Sequence, residues 1–120
     1  MEKELNGLLE LADVKDELVE MADVMTRKQN YGFLITVFLN DHNPPHAHIR
    51  DLGGKTIGQF LITEEAPKTA EDLILYRTEG LPLKMRKTIA EWANKVSSKP
   101  PYTYWDKLKE YWETFQESQY

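Results

Sequence analysis

Phe33-Leu34-Ile35-Thr36-Val37-Phe38-Leu39 is the longest apolar run of the 120-residue chain, interrupted only by Thr36. Aromatic and β-branched residues dominate it, and both alternating faces are apolar. That pattern predicts a central strand with both faces covered. The run is also far shorter than the roughly 20 residues needed to span a bilayer. Thr26 to Gly32, just before it, is polar and ends in glycine, as a connector does. Downstream, residues 46–51 alternate, with Ala47 and Ile49 on one side and His46, His48 and Arg50 on the other. Gly53-Gly54 is a hairpin signal. Residues 56–62 predict a third strand, with Gly58 as a bulge or a point of close approach. Leu73–Arg77 is a candidate fourth. Links this short favour an antiparallel meander over a crossover.

Beyond Gly80 the apolar period becomes helical. Pro82 suits a first helical turn, with Met85, Ile89, Trp92 and Val96 as the inner face. Ser97-Ser98-Lys99-Pro100-Pro101 stops that helix. Thr103 then predicts an N-cap, with Asp106 three residues on, for a helix whose inner face is Trp105, Leu108, Trp112 and Phe115. At the other end, Leu11, Val14, Leu18, Met21 and Met25 form one helical stripe. The expected fold class is α+β: a small antiparallel meander of three to four strands packed with two C-terminal helices, plus an N-terminal acidic amphipathic helix. Residues 1–28 are expected as that helical extension, and residues 32–117 as a single α+β domain.

Charge is unevenly spread. The whole chain is -5, with 41% hydrophobic and 29% charged residues, the balance of a globular protein. Residues 1–25 carry eight acids and two bases, a net -6; residues 81–112 carry seven bases and three acids, a net +4. The overall sign disfavours RNA as a partner, although Lys84, Arg86, Lys87 and Lys95 supply a local basic surface. With no cysteine there is no disulfide, thiolate metal site or cysteine nucleophile. The start, Met-Glu-Lys-Glu, has no basic lead into an apolar stretch, so a cytoplasmic protein with no membrane role is the expectation.

Every histidine falls in Asn40-Asp41-His42-Asn43-Pro44-Pro45-His46-Ala47-His48. The diproline imposes a stiff, extended connection. His46 and His48 are two apart, so on a strand both imidazoles share a face. Three readings follow. In the first, His42, His46 and His48 ligate a divalent metal, zinc or manganese, which would lower the pKa of a bound water; a loop carboxylate could stand in for the third imidazole, but spacing does not mark one out among Asp41, Asp51, Glu64, Glu65 and Asp72. In the second, the same three histidines act as general acid and base, with Asp41 and Arg50 as an anion-binding clamp, the group set of a metal-independent ribonuclease. In the third, they hydrogen-bond backbone carbonyls and fix the loop. Their face, opposite Ala47 and Ile49, is expected to look into a groove and to serve a site and not the fold.

The segment resembles a small bacterial and phage domain-of-unknown-function family whose signature is N-D-H-x-P-P-H-x-H, matched position for position by Asn40 to His48. The resemblance covers roughly residues 33–115. It takes in Glu79-Gly80-Leu81-Pro82, similar to that family's helix start, the Ile89…Trp92 helix, and a terminal Leu108…Trp112. It implies a compact α+β domain encoded beside a second small protein, in an arrangement similar to toxin–antitoxin pairs. It implies no role for His42, His46 or His48.

The expected function is one component of a two-protein system, acting through a protein partner held by the N-terminal helix or the sheet edge. The alternative is a small metal-dependent or histidine acid–base phosphoesterase or ribonuclease, with RNA or a nucleotide as substrate.

Overall fold

The computed structural model describes residues 21–39, 41–97 and 100–117. The apolar run forms strand β2 (Leu34–Phe38), whose Leu34, Ile35, Thr36 and Val37 are all buried. It is an inner strand of a four-stranded antiparallel sheet in the order β1-β2-β3-β4, with β1 at Met21–Met25, β3 at His46–Arg50 and β4 at Thr56–Leu61. The meander is therefore present, and two helices follow it: α1 (Leu83–Ala93) and α2 (Tyr104–Glu117).

Strand β1 corrects the expectation for the N-terminus. Residues 21–25 are not the end of a helix; they pair with β2 in the register Met21↔Phe38, Ala22↔Val37 and Asp23↔Thr36. Met21 and Met25 fit a helical stripe by spacing, but five residues are too few to separate a helical from a strand period. Pairing with β2, and burial of Val24 and Met25, decides the matter. The helix expected over residues 1–20 lies outside the described residues.

A second correction concerns Leu73–Arg77. This segment joins the sheet only through a bridge between Leu75 and Phe60, flanked by Leu61 N–H to Ile74 O and Tyr76 N–H to Gln59 O, each 2.9 Å. Arg77 then turns left-handed at φ 52°, which ends the extended run. At Gly58 an added Cβ would lie 3.2 Å from Leu81 and 3.4 Å from Ile49, so the glycine marks a close approach.

Cross-strand register sorts the residues between two faces. Ile35, Val37, Ala47, Ile49 and Phe60 share the core with Ile89 and Trp92 of α1 and Trp105, Leu108, Trp112 and Phe115 of α2. Trp105 stacks on Phe60 and donates its indole N–H to the Thr63 carbonyl at 2.9 Å. Asp23, Thr36, His48 and Gln59 line up across the opposite face.

Thr103 and Asp106 cap α2 reciprocally, at 3.0 and 3.2 Å. Helix α1 stops at Ala93, where the Asn94 amide donates to the carbonyls of Ala90 and Pro67. Val96, expected on the inner face, therefore falls outside the helix and is exposed. Among the described residues, no helix is long and apolar enough to cross a membrane.

Candidate metal centre

The connector from β2 to β3 brings Asp41 back over the start of β3. His46 opens that strand and His48 follows two residues later, so both rings lie on the face opposite Ala47 and Ile49. Asp41 Oδ2 lies 3.0 Å from His48 Nε2 and 3.4 Å from His46 Nε2. All three potential ligand atoms fall within 4.8 Å of one another. Zinc bound at 2.0–2.1 Å in a tetrahedron sets its ligands about 3.4 Å apart. The separations of 3.0 and 3.4 Å are close to that edge, and two imidazoles with one carboxylate are a donor set that divalent transition metals accept.

The hydrogen bonds fix the tautomer of His46. A carbonyl oxygen only accepts, so the 2.9 Å contact between His46 Nδ1 and Pro44 O places the ring proton on Nδ1. With a single ring proton, so placed, the Nε2 lone pair faces Asp41. Two electron-rich atoms at 3.4 Å repel unless a cation or a proton lies between them. A ring nitrogen exposed in this way, with the other N–H held by a backbone carbonyl, is how a metal-ligating histidine is normally oriented.

His48 differs. Burial holds its pKa below the ordinary value of 6.5; Asp41 pulls upward through charge and hydrogen bond, while His46 and Arg50 push downward. The ring is therefore neutral at pH 7, and its Nε2–H donates to the Asp41 carboxylate, a proton that a metal would displace. Its Nδ1 is buried without a hydrogen-bond partner.

Aromatic side chains enclose the cluster. Tyr76 and Trp112 lie 4.8 and 5.5 Å from the His46 ring, centroid to centroid, and Phe38 meets His48 edge-on at 4.6 Å. His46 is only 5% exposed, which corrects the expectation that both histidines look outward into a groove. The Asp41 side chain, 22% exposed, is where solvent reaches the group most. Gln116 of α2 donates to the Asp41 carbonyl at 3.3 Å, tying the last helix to the loop.

Of the residues singled out in the sequence, His46, His48 and Asp41 come together. His42 does not: it is exposed and lies outside the group. The third donor is its neighbour Asp41, expected in an anion clamp and named among the carboxylates that could replace the third imidazole. Arg50 is not free for such a clamp either. Its guanidinium reaches Asp23 and Thr36 at 3.3 Å each and the Gly54 carbonyl at 3.2 Å. The roles of Tyr76 and Trp112 had no local signal, because both reach His46 across tertiary structure. Comparison with protein-family models, curated proteins and solved structures finds no match for this chain.

Proposed function

We propose that this domain is a metal-dependent hydrolase whose divalent cation, zinc or manganese, is held by Asp41, His46 and His48. The observation that supports it most is the tautomer of His46, whose Nε2 lone pair is aimed at the oxygen that His48 also contacts. Three protein donors leave a position for water, and the ion would supply water activation near neutral pH. The chain's own contribution is orientation. Pro44 O holds His46, Phe38 and Tyr76 pack the two rings, and Gln116 holds the loop that carries Asp41.

The test is a titration of metal-free protein with zinc and with manganese, followed by calorimetry and by the histidine ring NMR signals. One equivalent should bind and shift His46 and His48 but not His42. No saturable binding of either ion would refute the reading.

A protein partner is the second reading, and the sheet supports it. Among the described residues, strand β1 ends the sheet on one side, whereas β4 is covered by the 74–76 segment. An edge strand is a ready template for an added strand. Co-purification of an equimolar complex that protects the amides of β1 from exchange would establish it.

A further inference from the structure

We infer that Arg77 and the cleft beside it seat the phosphate of a nucleotide-sized phosphate ester at this centre, an inference that rests on the metal reading above. The cleft has a volume of about 360 Å³, and Gln59, Arg77, Thr78 and Glu79 line it. That volume is in the range of small-ligand sites. Two neighbour relations connect it to the metal centre. Gln59 is the cross-strand neighbour of His48. Tyr76, next to Arg77 in the chain, packs on the His46 ring at 4.8 Å.

Arg77 is unusual among the cations of this surface. Its guanidinium carbon lies 5.0 Å from the centre of the Tyr76 ring. Stacking on an aromatic face leaves the five N–H donors at the edge of the guanidinium plane, open to an oxyanion. Arg77 is exposed and makes no ion pair with any described residue, whereas Arg50 is committed to Asp23. Its backbone is left-handed at φ 52°; the only other non-glycine residue with positive φ among the described residues is Asn30, whose residue type tolerates it. An arginine gains nothing by itself from that conformation, and strain of this kind concentrates at ligand-binding positions. The left-handed turn accompanies a side chain laid over the ring of the preceding residue, Tyr76. Glu79 in the same cleft disfavours a polyanion, and so does the net charge of -5, which points to a compact phosphate ester and not to an RNA strand.

The probe is phenylphosphonate, which resists hydrolysis. It is titrated into the wild type, Arg77→Ala, Arg77→Lys and Arg77→Gly, each with and without zinc or manganese, after the metal titration alone. The metal titration judges the metal reading by itself. Arg77→Ala should bind metal like the wild type and bind phenylphosphonate at least about tenfold more weakly. Arg77→Lys should fall between them. Arg77→Gly relieves the backbone and should melt no lower than the wild type while losing the same phosphonate affinity. Phosphonate affinity unchanged within about twofold in Arg77→Ala would overturn the inference. So would a parallel loss of metal affinity, or no phosphonate binding by metal-loaded wild type.

Discussion

His46 Nδ1–H donates to the Pro44 carbonyl at 2.9 Å, so a residue of the diproline sets which nitrogen of the histidine faces Asp41. The bond is local, spanning two residues, and needs no help from the rest of the fold. It turns a stiff connection into a device for presenting the other ring nitrogen to Asp41. The long-range contacts with Tyr76 and Trp112 then hold the ring plane.

Removing any one of the three donors should cost metal affinity. Asp41→Asn, His46→Ala and His48→Ala are each expected to weaken zinc or manganese binding by on the order of 100-fold or more, above the loss usual for an outer-shell residue. His42→Ala should bind like the wild type, because that ring is exposed and outside the group. Calorimetric titration of the four variants checks the ordering. A loss in His42→Ala equal to that in Asp41→Asn would restore the three-histidine set.

The metal-free protein should lose stability on mild acidification. The ring of His48 is held below its ordinary pKa of 6.5 in the fold, chiefly by burial, with His46 and Arg50 opposing protonation and Asp41 favouring it. The unfolded chain therefore binds more protons than the folded one just below pH 6.5, and stability must fall as pH drops through that window. Above it this contribution is complete. Urea midpoints measured at about pH 7.5 and about pH 5 should differ more in the wild type than in His48→Gln, which has no proton to gain. An equal difference in both proteins would assign the pH effect to other groups.

The meander was legible because its signals are local. Residues 33–39 declare a strand by composition, Gly53-Gly54 declares the hairpin, and Asp51 completes it by accepting from the backbone N–H of Gly53 and Lys55 at 3.0 and 2.9 Å. The histidine face was legible from alternation alone. What covers it was not: Tyr76 and Trp112 approach His46 from 30 and 66 positions away in the sequence. The exchange of His42 for Asp41 has a similar cause. A one-residue difference in a loop ahead of two fixed prolines depends on backbone path, which residue types do not encode. Strand β1 was missed because its methionines fit two periods at once.

That strand carries its own consequence. A chain beginning at Arg27 would lose β1, and with it the buried Val24 and Met25 and the whole edge that pairs with β2. Deleting side chains of this size from a core costs about 2–5 kcal/mol for a single site. The shortened protein should therefore aggregate or melt without cooperativity, whereas a chain beginning at Met21 should retain the sheet. Amide exchange across β2 reads the difference, and a cooperative, native-like melt from the Arg27 start would show β1 to be an accessory strand.

Arg50 and Arg77 are predicted to behave oppositely. The Thr36 hydroxyl is fully buried, donates to Asp23 Oδ1, and accepts from Arg50 Nη1 at 3.3 Å; the same Nη1 reaches Asp23 at 3.3 Å. This closed triangle ties β1, β2 and β3 together on the face that carries His48. Arg50→Ala opens it and leaves Asp23 without its cation, a change that costs about 1–3 kcal/mol when a partly buried polar partner is stranded. Arg50→Ala should therefore lower the urea midpoint while leaving the phenylphosphonate affinity of the folded, metal-loaded protein as it was. Arg77→Ala should do the reverse. If Arg50→Ala instead melted like the wild type and lost the phosphonate, Arg50 would be the anion clamp that its position beside His48 first suggested, and the ion pair with Asp23 would be incidental to the fold.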